Sequence, residues 1–203
     1  MLPFISDLCI KHDCQYVIDI GSGLGYFDRL LVKNCPNLTV IAIEKNEEFS
    51  AKASKQNSDV KTQIINMSYT IDKDSFQDLI PRIKQLLDKP NANIRMGLIS
   101  LHSCGNEFKQ ILSSVYSERS ILFFSQGDLT PNMLKIFNAN REDLKFITAF
   151  SCCYHSMQPL SDSIEHEEKI DFFNFPMSNA LKQTDAHFRL SLFGLRLACQ
   201  QNM

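Results

Sequence analysis

The residues best placed to do chemistry lie early in the chain. Val17-Ile18-Asp19-Ile20 runs straight into Gly21-Ser22-Gly23-Leu24-Gly25-Tyr26, a β-type run, then glycines at alternate positions, then helical spacing. Glycines accept positive φ and let a ligand lie against the main chain, and the helix that follows begins with unpaired N–H groups. Farther on, Glu44 closes a second apolar run, Ile41-Ala42-Ile43-Glu44. In a doubly wound parallel sheet the carboxyl ends of two such strands are neighbours at the crevice where ligands bind. A carboxylate there can accept both hydroxyls of a ribose, and its charge disfavours a ribose phosphate. A glycine turn that serves packing alone is the alternative.

The glycine spacing bears on which nucleotide is held. A dehydrogenase fingerprint, G-x-G-x-x-G/A, leaves room for a pyrophosphate on the helix terminus. Here the order is G-x-G-x-G, with Asp19 two residues ahead of it. Such an acid would repel a pyrophosphate but suits the cationic amino-acid end of S-adenosylmethionine (SAM). SAM is therefore the expected cofactor, ahead of NAD, with Asp19, Gly21, Ser22, Gly23, Gly25 and Glu44 as its binding residues. Its adenine is expected near Met67-Ser68-Tyr69, after a third strand.

A second concentration of reactive types sits at two later strand ends, Leu101-His102-Ser103-Cys104-Gly105 and Ser151-Cys152-Cys153-Tyr154-His155. Both should open at the same sheet edge as the glycine turn. In one reading they line a substrate pocket in which His102 or His155 orients or deprotonates a nucleophile. In another, His102, Cys104, Cys152, Cys153 or His155 hold zinc, although H-x-C with C-C-x-H is not a standard zinc spacing. In a third, the cysteines are small hydrophobes and the backbone satisfies the histidines. The pocket is preferred and no metal is assigned. Its expected lining is Cys104, Cys152, Cys153 and Tyr154, with Phe175 and Pro176 from Phe172–Ser178. That last segment reads equally well as a hydrophobic staple entering a helix capped by Ser178.

Helices and strands must alternate to position these groups. Helical stripes are expected over Leu2–Lys11, Tyr26–Asn34 (through Phe27, Leu30 and Leu31), Asn46–Gln56 with a capping Asn, Ser75–Leu87 despite Pro81, Thr130–Phe137 and His187–Cys199. Strands are expected at Tyr16–Ile20, Leu38–Ile43, Lys61–Ile65, Met96–Leu101 and Lys145–Phe150. This alternation argues for an α/β, doubly wound and mostly parallel sheet. No sixth or seventh strand is evident after the fifth, so the sheet is expected to be incomplete at its C-terminal edge.

Composition narrows the classes further. The 203 residues suit one domain. Twenty-one Lys and Arg against 23 Asp and Glu leave a net charge of −2, which excludes a blanket basic surface for nucleic acid but not a local patch. The apolar runs are too short to cross a bilayer at about 20 residues, and Met1–Asp13 lacks the pattern of a secretory signal. The seven cysteines form no paired framework, which fits a reducing compartment. An intracellular protein, cytoplasmic or nuclear, is expected. Cys9, Cys14, Cys35 and Cys199 read as structural.

Taken together, DIGSGLGYFDRLL, IAIEKN, LHSCG with GDLTPNMLKIF, CCYH and FPMS resemble the methyltransferase-like protein 25 family of SAM-dependent methyltransferases. That family includes a protein named for a ribosomal RNA adenine dimethylase domain. A more distant similarity is to the acceptor-stem tRNA 2′-O-methyltransferase, which also pairs an H-x-C-G strand end with a C-C-x-H one. The resemblance implies a Rossmann-like SAM-dependent methyltransferase fold over nearly the whole chain, with Gly21, Gly23, Gly25 and Glu44 on the cofactor. The acceptor would be a macromolecule, RNA or protein, and His102, Asp128 and His155 are the candidate catalytic groups. A SAM-binding regulatory or scaffold protein without turnover is the alternative.

The sequence departs from the family pattern where L-H-x-C-G-D-L-T-P should be continuous. Asn106–Gln126 interrupts it, with Gly105 and Gly127 at its borders. Connections of this kind usually take about 2–6 residues. A retained in-frame intron is the expected source, since both junctions can be encoded by splice-like sequences; sequencing the transcript decides it. If translated, the segment separates Asp128 from His102 and Cys104. Both ends also fall short of the family pattern, and truncation is expected there.

Overall fold

The computed structural model describes residues 1–57, 59–60, 62–101, 129–149 and 183. The chain divides into two compact units, residues 1–103 with 132–150 and residues 104–131 with 151–203. Nearly all described residues belong to the first. In order they form α1 (Leu2–Lys11), β1 (Tyr16–Ile20), α2 (Tyr26–Asn34), β2 (Thr39–Glu44), α3 (Glu47–Gln56), β3 (Ile64–Ser68), α4 (Ser75–Leu86), β4 (Met96–Ser100), α5 (Leu129–Ala139) and β5 (Leu144–Ala149).

The five strands make one sheet in the order β3-β2-β1-β4-β5, and every pair is parallel. The order reverses between β1 and β4, so this is the doubly wound α/β, Rossmann-like arrangement, whose ligand crevice opens at the carboxyl ends of the strands. A parallel sheet needs cover on both faces, which is why β1 and β2 read as unbroken apolar runs. On one face Val17, Val40, Ala42, Ile99 and Phe146 pack with Ile5 and Cys9 of α1 and with Leu31 and Val32 of α2. The alternate residues Ile18, Ile41, Ile43, Met96 and Leu98 are fully buried as well. A right-handed crossover from β3 to β4 puts α4 over this second face, and its Leu79, Ile80 and Ile83 are buried. Gly97 is required by packing: a Cβ there would overlap the Phe146 ring.

Helix α1 ends in a Schellman motif. Asp13 adopts φ 51°, Asp13 N donates to Ile10 O at 3.1 Å, and Cys14 N donates to Cys9 O at 2.8 Å. The apolar contact that usually closes such a turn joins its C3 and C″ positions, and both are cysteines here. Burial, with the neighbouring Cys14 and Cys35 sulfurs, pushes the Cys9 thiol up to about 12. It is therefore a poor nucleophile and acts as a small core residue.

Several boundaries differ from the sequence reading for local reasons. The second strand starts at Thr39 because Leu38 N closes a turn on Cys35 O. The third runs over Ile64–Ser68, since Gln63 N and Ile64 N both donate to Val60 O and hold that stretch as a turn. The fifth helix extends one residue earlier and two later than Thr130–Phe137. In α2 the buried residues are Asp28, Leu31 and Val32, whereas Leu30 is 54% exposed. The stripe is thus rotated from the one expected. The helix expected at His187–Cys199, the segment Asn106–Gln126 and any strand beyond β5 lie outside the described residues.

Candidate cofactor site

The loop between β1 and α2 is pinned to the end of β2. Gly21 N and Ser22 N both donate to Ile43 O, at 2.9 and 3.1 Å, and Gly25 N donates back to Ser22 O at 2.9 Å. This tight path demands φ of 78°, 57° and 67° at Gly21, Gly23 and Gly25, values that L side chains adopt only with strain. Gly25 is the residue that enters α2, in the left-handed conformation. A Cβ on Gly25 would touch Asp28 Oδ2 and Arg29 Nη1, each at 3.4 Å. One on Gly23 would meet nothing within 4 Å, so the loop turns bare backbone toward open space there.

Glu44, at the end of β2, closes on this loop. Its Oε2 accepts from Gly23 N at 2.9 Å and its Oε1 accepts from Asn46 N, also at 2.9 Å. Asn46 in turn caps α3, its Oδ1 accepting from Glu48 N at 2.9 Å and Phe49 N at 3.1 Å. Glu44 therefore ties the glycine loop to the start of α3. Each carboxylate oxygen keeps a further lone pair, so the expected contact with a sugar would be added to this backbone role. Met67 and Ser68, expected just past the third strand, are its last residues. Tyr69 follows, its N donating to Glu44 O at 3.3 Å. The Tyr69 hydroxyl donates to Asp78 Oδ1 at 2.7 Å and lies 3.1 Å from Ser75 Oγ. Burial and the Asp78 carboxylate push that hydroxyl up to about 12.

Beneath the loop are two acids, and one was not foreseen. Asp19 is 3% exposed and Asp28 is wholly buried. Neither oxygen of Asp28, nor Oδ1 of Asp19, receives a hydrogen bond from a donor among the described residues. The two carboxyls lie within hydrogen-bond reach of each other. Burial, then the adjacent Asp28 and Glu44 charges, raises Asp19 well above the carboxylate range. Burial likewise raises Asp28, to about 6, against the opposing pull of the bond from Asp19 and of Arg29. Arg29 Nη1 donates to Leu24 O at 2.9 Å and Asn57 Oδ1 at 3.2 Å. The available signal for Asp28 was its place three and four residues before Leu31 and Val32 on the buried stripe of α2.

The structure thus brings together Asp19, Gly21, Ser22, Gly23, Gly25 and Glu44 at adjacent strand ends. His102, Cys104, Asp128, Cys152, Cys153, Tyr154, His155, Phe175 and Pro176 lie outside the described residues. Among the described residues no group of three or more His, Cys, Asp or Glu could hold a metal ion, and no helix is long and apolar enough to cross a membrane.

A parallel doubly wound sheet with a glycine loop clamped by the acid ending β2 is the architecture of a nucleotide-binding α/β domain. Within that class, the family model described as "Methyltransferase domain" matches residues 1–127. The chain belongs to this methyltransferase-domain family. It is similar to human "Probable methyltransferase-like protein 25", with 28% identity over 102 residues. That match takes in 50% of this chain and 17% of the human protein, so the chain spans only a small part of that relative's length. Among solved structures it is similar to an S-adenosylmethionine-dependent methyltransferase from Clostridium acetobutylicum ATCC 824, with TM-score 0.40, 15% identity, and 83% of this chain and 58% of that one covered. It is also similar to the plantazolicin methyltransferase BpumL in complex with SAH, with TM-score 0.32, 18% identity, and 70% and 56% covered. The fold assignment rests on the strand order of the chain itself.

Proposed function

We propose that this chain is a SAM-dependent methyltransferase acting on a macromolecular acceptor, RNA or protein, inside the cell. The observation that carries the reading is the contact of Glu44 Oε2 with Gly23 N at 2.9 Å, which sets an acid and bare backbone side by side at a strand-end crevice. Membership of the methyltransferase-domain family supports it. The residues fit the cofactor: open space over Gly23 leaves room beside the backbone, and buried Asp19 supplies a carboxyl under the loop. Gly21–Gly25 and Asp19 would hold the amino-acid part, and Glu44 the ribose. SAM, when bound, supplies a methyl group on a sulfonium.

The task of the chain is to bind and orient, because aligned placement of the acceptor supplies much of the rate of such a displacement. His102, Asp128 and His155 are the groups assigned to hold or take a proton from the acceptor, with Cys104, Cys152, Cys153, Tyr154, Phe175 and Pro176 lining its pocket. A general base is needed only where the acceptor atom carries a proton of high pKa.

Calorimetric titration with S-adenosylhomocysteine (SAH) tests the binding half, and labelled SAM with separated cellular RNA and protein fractions tests transfer. Glu44→Ala is expected to weaken SAH binding by roughly 10- to 100-fold, since hydrogen bonds to a charged group contribute about 1.5–3 kcal/mol. Unchanged affinity would place the sugar elsewhere. SAH binding with no label in either fraction would favour a SAM-binding regulatory or scaffold protein. Absence of SAH binding would overturn both readings.

A further inference from the structure

We propose that Asp28 is a positioning residue of the cofactor site, which shares one proton with Asp19 beneath the glycine loop and so ties cofactor binding to pH. The proposal deepens the SAM reading and rests on it. Asp28 is wholly buried on the apolar stripe of α2, where Leu31 and Val32 face the core. Its two oxygens and Asp19 Oδ1 accept from no donor among the described residues. Two carboxyls within reach of each other cannot both ionise in a buried site, and a shared proton satisfies them. An apolar side chain at Asp28 would pack there without that burden, since a buried charge lacking a donor destabilises the fold.

The charged surroundings define what the pair can do. β1 brings Asp19, β2 brings Glu44, and α2 brings Arg29 alongside Asp28 itself. Arg29 is engaged with Leu24 O and Asn57 Oδ1, while α3 brings Ala53 against the Gly25 position. Holding one proton, the pair presents a single negative charge under the loop. A second proton, taken up as pH falls through about 6 on Asp28, leaves it neutral. The cationic amino group of SAM or SAH favours the ionised pair, so it binds less tightly to the neutral one and releases a proton on binding.

The test uses the full chain and its Asp28→Asn variant, whose amide can still donate to Asp19, with Asp28→Ser as a second, smaller neutral replacement. SAH is titrated between about pH 5 and pH 8 in buffers of different ionisation heat, and thermal unfolding of the free protein is followed over the same range. Wild-type affinity should fall by up to about tenfold per unit below about pH 6, with buffer-dependent heat from one released proton. In both variants that midpoint should disappear or move by at least about one unit. Binding with an unchanged midpoint in the variants, or a flat wild-type profile, would overturn the linkage alone. If neither protein binds SAH at any pH, the cofactor reading falls and the linkage with it. The free protein gives a separate readout. Folded-state values raised above the unfolded ones mean that wild-type stability is lost as pH rises through about 6. The variants should lose or shift that dependence, with only Asp19's own burial left to raise a carboxyl there; a loss unchanged in midpoint and size would refute the shared proton.

Discussion

Two buried acidic sites lie at opposite edges of one sheet, and the fold treats them in opposite ways. At the amino ends of the strands, Asp143 is 8% exposed and fully served. Lys84 Nζ lies 2.8 Å from its Oδ2, and Ile94 N donates to its Oδ1 at 3.1 Å. Nearby, Arg95 donates through Nε to His12 O at 2.8 Å, so loop carbonyls at this edge are also engaged. At the carboxyl ends, Asp19 and Asp28 are as deeply buried, but among the described residues neither Asp28 oxygen nor Asp19 Oδ1 has a donor. The first arrangement fastens α4, β4 and β5 together. The second spends stability where ligands bind in this fold class, which is where unsatisfied polar groups are expected to carry function.

Breaking the served site should have the larger effect. Asp143→Ala leaves the Lys84 ammonium, 17% exposed, and the Ile94 N–H without their partner. Removing one member of a buried pair costs about 3–5 kcal/mol, and residual exposure of Lys84 points to the lower end. Urea denaturation near pH 7 should show a loss of about 3 kcal/mol. A loss below about 1 kcal/mol would erase the contrast between the two edges.

Relieving the unserved site should have the opposite sign. Asp28 is raised from 3.8 to about 6 by burial above all, and each unit is worth about 1.4 kcal/mol. The sign follows directly. The folded state holds the proton more tightly than the unfolded chain, so its contribution is full below about pH 4 and gone above about pH 6. Asp28→Asn should therefore stabilise the free protein near pH 8, by at most about 3 kcal/mol, and by little near pH 4. Destabilisation at both pH values would mean that the acid is a packing element, and the two edges would then be alike.

What the sequence revealed about this site follows the range of the forces involved. The alternating glycines were legible because positive φ is a property of single residues, and Asn46 was legible as a cap because its capping bonds go to its near neighbours Glu48 and Phe49. The order of strands and helices was legible from unbroken apolar runs against helical spacing. Asp28 was not, because its burial depends on how α2 rolls onto the sheet. Spacing through Phe27, Leu30 and Leu31 suggested one face, whereas packing chose Leu31 and Val32 and left Leu30 54% exposed. The backbone grip of Glu44 was hidden for a similar reason: it depends on how closely the end of β2 approaches a loop on its neighbour. Lys84 and Asp143, far apart in the chain, meet only once β5 is in the sheet.

The smallest expected effect asks whether the whole carboxyl edge is under-served or only its acid pair. Asn46 lies at that edge, its N donating to Glu44 Oε1 at 2.9 Å, yet its side chain serves two amides of α3. It should therefore behave like the opposite edge of the sheet. Asn46→Ala should cost about 1 kcal/mol, the usual loss for an N-cap. Asn46→Ser, which still offers an oxygen to the same amides, should recover most of it. Neither value should change between about pH 5 and pH 8, because the amides that Asn46 Oδ1 accepts from, Glu48 N and Phe49 N, do not titrate. A cap loss that changed as pH crossed about 6, in step with the acid pair's contribution, would show the cap and the carboxyls to be one coupled unit. The unsatisfied character would then belong to the edge as a whole rather than to Asp19 and Asp28.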